Sequence, residues 1–455
     1  MNVAILGTGY VGLTTGACLA YLGHDVVCVD SDPRKVEMLR QGKMPFFEPH
    51  LPELVADASE HLRFTTDYSQ AIPAAQVVFI AVGTPPGTNG APDLRYLESA
   101  ARGVGEHLGG HFTVIVNKST VPIGSGNWVE SLVRDAFQKR NGSAPPGGTF
   151  AVASNPEFLR EGSALADSLY PDRVVVGADN PQTSEVLYTL YRPILEQTFS
   201  APAYLLRRDD TTAVPLISTD LASAELIKYA ANAFLSLKIS YINEIGQLAE
   251  KVGADITQVA KGIGLDARIG TRFLQAGIGW GGSCFGKDCM ALVSTAGEYG
   301  LEMPIVEAAQ KVNRRQRQRV VEKLLGELKI LKGRTIAVLG LAFKPNTDDL
   351  RDAPAIEIAK RLIERGARVK AHDPVAMDSF RQHYPDSGVV CCETPEEAIQ
   401  EADAVVLATE WPQYRELNWE QVAASMRSPI LLDGRNVLDR ARLTRAGFRY
   451  VGLAG

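Results

Sequence analysis

Cysteine is scarce in this chain and follows no pattern. Cys18, Cys28, Cys284, Cys289, Cys391 and Cys392 are scattered through 455 residues without a CxxC pair, which excludes a disulfide-framed secreted domain and suits a reducing compartment. No apolar run approaches the roughly 20 residues that cross a bilayer. Met1–Leu6 runs straight into an apolar strand with no cationic leader, so a cytoplasmic protein without a membrane partner is expected. A basic excess is also missing. The 47 Lys and Arg stand against 53 Asp and Glu, a net charge of −6, which argues against a broad nucleic-acid surface and leaves room for a local cationic pocket that takes a small anion. None of the seven histidines has a metal-type partner at ligand spacing, and no metal is expected.

What is present is the composition of a folded α/β protein of several domains, with 45% hydrophobic and 22% charged residues. Short β-branched runs (Val3–Leu6, Val26–Val29, Val77–Val82, Thr113–Val116) alternate with helical stretches. Apolar strands separated by helices indicate a parallel sheet covered on both faces, so residues 1–205 are expected to form a doubly wound domain. Ser218–Val252 has helical spacing, no proline and Gly246 as its one glycine. It predicts a helix of about 50 Å that connects two lobes and is able to pair with another subunit. A charged turn, Arg207–Asp210, precedes this helical middle region, 206–315. The first pattern restarts in 316–455, with Thr335–Leu339, a helix over 355–365, a strand ending at His372-Asp373, and further strands at Ala404–Thr409 and Ile430–Asp433.

Gly7-Thr8-Gly9-Tyr10-Val11-Gly12 follows one expected strand and opens an expected helix, and Asp30 ends the next strand. In that context GxGxxG is a dinucleotide fingerprint. Gly7 makes the turn, Gly9 admits a pyrophosphate, Gly12 lets helix meet strand, and Asp30 takes a ribose diol, which favours NAD over NADP. Thr84-Pro85-Pro86 and Ser119-Thr120-Val121-Pro122 follow strands at their carboxyl ends, where ligands bind, though such residues are also ordinary turn formers. Lys228 and Asn232 stand four apart on the long helix. Together they are able to stabilise an oxyanion; an exposed lysine and an interhelical amide are the plainer alternative.

Gly279–Asp288 is dense in glycine and places Cys284 just before an expected helix over Lys287–Tyr299. There a thiolate is favoured, and we read Cys284 as a nucleophile and Cys289 as packing. In the C-terminal lobe the glycine fingerprint is gone. Phe343-Lys344, Arg351 and Arg435 bring cations to strand ends, which suggests a phosphorylated ligand other than a second dinucleotide. Arg314–Arg319 (RRQRQR) reads as a solvated helix face or an interface, since no aromatic residues interleave it.

In order along the chain, the fingerprint, Lys118–Pro122, Asn155–Leu159, Lys228…Asn232, Gly281–Phe285, Phe343-Lys344 and Asp433–Arg435 resemble the UDP-glucose/GDP-mannose dehydrogenase family over nearly the whole length. Asp266–Gly270, Phe273-Leu274 and Ser283–Phe285 are similar to its UDP-glucose branch; Gly286 departs from the bulkier residue common there. The resemblance implies two Rossmann-like doubly wound domains joined by the long helix and helical middle region. It also implies oxidation of UDP-glucose to UDP-glucuronate by two NAD in turn, with GDP-mannose the rival substrate and a two-electron β-hydroxyacid-type oxidation the rival reaction. It implies Cys284 as the thiohemiacetal and thioester residue, Lys228 and Asn232 holding oxyanions, Asp288 and Thr120 relaying a proton through water, and Glu157 assisting hydrolysis. Tyr10, Val11, Lys35, Thr84, Glu161, Lys287 and Arg351 then approach the cofactor. Phe158, Leu159, Phe273, Leu274, Gly281, Phe343, Lys344 and Arg435 approach the substrate, and Arg268 reaches from a second subunit of a homodimer or larger homo-oligomer.

Overall fold

The computed structural model describes residues 1–87, 91–207 and 213–454. Its apolar runs form two sheets. The first holds β1 (Asn2–Leu6), β2 (Asp25–Val29), β3 (Leu62–Thr65), β4 (Val77–Ile80), β5 (Thr113–Asn117), β6 (Phe150–Ser154), β7 (Val174–Ala178) and β8 (Leu216–Thr219) in the order β3-β2-β1-β4-β5-β6-β7-β8. All neighbours are parallel except β6 with β7. The second holds β9 (Thr335–Leu339), β10 (Arg368–His372), β11 (Val389–Cys391), β12 (Ala404–Leu407), β13 (Ile430–Asp433) and β14 (Arg449–Gly452) in the order β11-β10-β9-β12-β13-β14. This is the doubly wound order, in which the strand sequence reverses beside the first strand and opens a crevice at the carboxyl ends.

Full apolarity of the strands follows from burial on both faces. Val3 and Ile5 join one core cluster while Ala4 and Leu6 join another; in the second sheet Ile336 and Val338 face one layer, Ala337 and Leu339 the other. Alternation thus exists in space and is invisible in the sequence, because both sides are dry.

One expectation is corrected. The helix expected from Ser218 runs over Leu221–Val252, and Leu216–Thr219 is β8. Asp220 sets the boundary, its carboxylate accepting from the Ser223 N–H (2.8 Å) and hydroxyl (2.7 Å). The chain divides into Met1–Ala230 with Met290–Tyr299, and Ala231–Cys289 with Gly300 onward. Of the expected charged turn, Arg208–Asp210 lie outside the described residues.

Candidate active site

In the first unit the glycine turn has the shape a pyrophosphate needs. Gly7 has φ +101°, and a Cβ on it would lie 2.6 Å from the Ala81 carbonyl; one on Gly12 would lie 1.9 Å from the Gly7 carbonyl, whereas Gly9 faces open space. Gly9 begins the helix Tyr10–Tyr21 without a side-chain cap, which leaves backbone N–H groups for an anion. Asp30 follows β2 with one oxygen accepting from the Thr8 N–H (2.9 Å) and hydroxyl (2.6 Å), the other from the Asp32 N–H (2.9 Å). Burial raises its pKa, but these bonds and the Lys35 charge outweigh burial and hold the carboxyl below its usual range. The residues present therefore fit a dinucleotide with an unphosphorylated ribose. Val11 is half-buried at the helix start. Tyr10 turns back into the protein, stacking on Phe46 and accepting from the Gly162 N–H at 2.9 Å.

Neighbouring strands bring separated motifs together. The Thr84 hydroxyl, after β4, donates to the Thr120 carbonyl, after β5, at 2.9 Å. After β6, Glu157 meets Lys228 of the long helix; the ammonium donates to the Glu157 carboxylate (2.9 Å) and carbonyl (2.6 Å), and Glu157 also accepts from the Leu159 N–H (2.9 Å). Both side chains are buried. The Phe158 ring lies under the Lys228 ammonium and the Arg173 guanidinium. Glu161 is buried next to Gly162, whose N–H, with that of Ala164, is held by Glu48. Sequence reasoning gave no role to Glu48 or Lys118. Lys118 donates to Asn155 Oδ1 at 2.9 Å, an oxygen that also accepts from the Tyr191 hydroxyl at 2.6 Å. Burial pushes the Lys118 pKa down to about 8. A cavity of about 70 Å³ adjoins Lys118 and Glu157.

In the second unit Cys284 stands half-exposed immediately before the helix Phe285–Glu298, two residues earlier than its expected start. At 3.6 Å from its sulfur lies the Ser283 hydroxyl. Asp288 is fully buried and takes Asn232 Nδ2 at 2.6 Å and the Lys287 ammonium at 2.8 Å. Lys228 and Asn232, expected to converge, thus engage different carboxylates, and Lys287, expected at the cofactor, is paired with Asp288. Cys289 is buried beside Ser236.

The glycine loop is held by the C-terminal sheet. Gly282 donates to the Arg351 carbonyl at 3.0 Å, and Ile278 to the Gly434 carbonyl at 2.8 Å. A Cβ on Gly281 would lie 2.2 Å from the Asp352 carbonyl, and one on Gly282 would strike the Phe343 ring at 2.7 Å. Arg435 donates to the carbonyls of Ala408 (2.7 Å), Phe343 (3.1 Å) and Gly279 (3.3 Å) and pairs with Glu410. The Lys344 ammonium overlies the Phe343 ring. The Arg351 side chain pairs with Asp349, and that of Arg268, largely exposed, with Asp266. Phe273 adopts φ 65° and tilts toward Phe285. The Leu274 side chain is buried, packed with Ile242, Ala249 and Ile256.

Glycines shaped for a pyrophosphate and an acid for the ribose, at the carboxyl ends of parallel strands, together with a half-exposed thiol at a helix start, are the features of a dinucleotide-dependent dehydrogenase. The chain belongs to the UDP-glucose/GDP-mannose dehydrogenase family, whose NAD binding domain matches residues 1–195, central domain 222–315 and UDP binding domain 337–440. It is 45% identical to a UDP-glucose 6-dehydrogenase of Rhizobium meliloti, covering 100% of this chain and 99% of that one. To the UDP-glucose 6-dehydrogenase TuaD of Bacillus subtilis it is 43% identical, over 99% and 92%. It superposes on a UDP-glucose dehydrogenase of Pyrobaculum islandicum with a TM-score of 0.87 and 41% identity, covering 100% and 97%.

Proposed function

We propose that this chain oxidises C6 of UDP-glucose to a carboxylate with two NAD, releasing UDP-glucuronate. The observation that carries the reading is the Cys284 thiol at a helix start in a chain 45% identical, end to end, to a UDP-glucose 6-dehydrogenase. NAD, when bound, accepts one hydride in each of two oxidations. Lys228, held by Glu157, supplies the cation that an alkoxide needs as the C6 hydroxyl gives up its proton, and Asp288 and Thr120 pass that proton to water. Cys284 Sγ then bonds to the aldehyde carbon and the carbonyl oxygen takes a proton, giving a thiohemiacetal; Asn232 assists in holding its oxyanion. Loss of the second hydride leaves a thioester. With Glu157 as base, water adds, the carbon–sulfur bond breaks, and the thiolate leaves. In sum, one alcohol, two NAD+ and one water give one carboxylate, two NADH and three protons.

Limiting UDP-glucose is expected to yield about two NADH per sugar, and GDP-mannose far less. A ratio near one would remove the thioester step, and no NADH from either sugar would sink the reading.

We also place the protein in the cytoplasm as a homodimer paired through the long helix. Phe234, Tyr241 and Leu248 repeat every seven residues on that helix and are 61%, 50% and 59% exposed, an apolar stripe suited to a second helix. Among the described residues no helix is long and apolar enough to cross a membrane. Light scattering is expected to give a two-subunit mass, and Tyr241→Glu to lower it.

A further inference from the structure

The RRQRQR run has no place in the mechanism above, and the structure divides it: Arg314, Arg315 and Gln318 lie on a solvated face as expected, whereas Gln316 and Arg317 are buried. On the helix Pro304–Leu328, Asn313, Gln316 and Arg317 share the buried stripe of Val320, Val321 and Leu324. Their polar ends meet the backbone of the glycine loop. Asn313 brackets one residue, accepting from the Trp280 N–H at 2.8 Å and donating to the Trp280 carbonyl at 2.9 Å. Gln316 donates to the Gly277 carbonyl (2.8 Å) and Arg317 to that of Trp280 (3.0 Å). The same guanidinium reaches the Arg351–Asp352 turn, donating to the Asp352 carboxylate (2.6 Å), the Asp352 carbonyl (3.2 Å) and the Glu357 carboxylate (2.7 Å). Asp352 has φ 48°, an unfavourable value for a side-chain-bearing residue that persists only where surroundings impose it. Gly281 and Gly282 rest on this turn, three and two residues before Cys284.

We propose that Arg317 is a positioning residue for the Cys284 thiol, fixing at once the Trp280 carbonyl and the Asp352 turn on which the thiol-bearing loop rests. The proposal rests on Cys284 being the nucleophile. A buried arginine with two carboxylates is weak support for stability in itself, and what this one does supply is one fixed geometry. The planar fork is essential to that role, because a lysine cannot span the carbonyl and the two acids together.

The test compares Arg317→Met, Arg317→Lys and Asp352→Asn in the full-length enzyme. It reads kcat, KM for UDP-glucose, and the rate at which iodoacetamide alkylates Cys284, followed by mass spectrometry with buried Cys289 as the folding control. Arg317→Met is expected to lose kcat by on the order of 10- to 100-fold, as a displaced reacting group does. KM should change little, the Cys284 alkylation rate should shift several-fold, and Cys289 should stay protected. Lysine should restore only part, and Asp352→Asn should move the same quantities less. If Arg317→Met does not fold, Asp352→Asn decides, since that side chain is partly exposed. Wild-type kcat and alkylation in the folded variants would overturn the proposal. Cys284→Ala runs in parallel. Should it retain the full NADH yield, the nucleophile reading fails, while alkylation, which needs no turnover, still decides the positioning.

Discussion

The Lys228 ammonium donates to both the carboxylate and the backbone carbonyl of Glu157, so one residue satisfies the lysine and is itself held by it. Removing one member of so buried a pair strands the other, at a cost of about 3–5 kcal/mol. Lys228→Met is expected to lose activity and to lower the urea midpoint by that order. Glu157→Gln, which keeps an acceptor, should unfold closer to wild type while losing turnover. Equal midpoints for Lys228→Met and wild type would show that the pair is not as buried as described.

Lys118 gives a pH signature. Burial is the main cause of its pKa of about 8 against an ordinary 10.5, with Glu157 and Cys18 pulling it upward and Lys228 downward. Between those values the unfolded chain still binds a proton that the folded chain has released, so stability rises with pH through that window and the charged form is penalised below it. Lys118→Met should lack this slope. Wild type should therefore gain on the variant between pH 8 and 10.5, by at most about 3 kcal/mol, in paired denaturant titrations. Parallel curves would contradict the assignment.

Glu225, one turn before Lys228, behaves oppositely. Burial and the Asp179 charge push its carboxyl up to about 7, against the pull of the Gly124 and Gly126 N–H groups that it accepts at 2.7 and 3.0 Å. The folded chain holds a proton here that the unfolded chain gives up near 4.5. The contribution is therefore complete below that pH and is lost as pH rises to 7. Relative to Glu225→Gln, wild type should lose stability from pH 5 to 7.5. Because Glu225 ties the segment after Thr120 to the long helix, the variant should also raise the KM for NAD. A flat difference across that range would refute the titration.

Gly12→Ala places a methyl group where the Gly7 carbonyl stands, a backbone atom that cannot yield without opening the turn. NAD affinity should fall by tenfold or more (about 1.4 kcal/mol or above), while UDP-glucose binding, measured calorimetrically without NAD, should stay near wild type. Loss of both together would mean that the change unfolds the protein.

The site was legible where chemistry is local. The glycine spacing, the acid after the second strand and the cysteine before a helix each follow from a few adjacent residues whose backbone needs are written in their side chains. Contacts made by strand pairing were not legible: Thr84 meets Thr120 only because β4 lies beside β5. The RRQRQR run was half legible: Arg314, Arg315 and Gln318 are exposed as its charge implies, while Gln316 and Arg317 turn inward with Asn313, Val320, Val321 and Leu324, which repeat at helical spacing and could have placed them there.

By itself, then, the sequence determined two doubly wound, mostly parallel sheets, the dinucleotide turn of the first and the loss of that turn in the second, since apolar runs, glycine and charge act over short range. Tertiary structure decided which polar groups are buried against which. It paired Lys228 with Glu157 and Asn232 with Asp288, withdrew Leu274 into a core and seated Arg317 on the glycine loop. Such pairings depend on desolvation and close approach between distant segments, and those quantities exist only once the chain has packed.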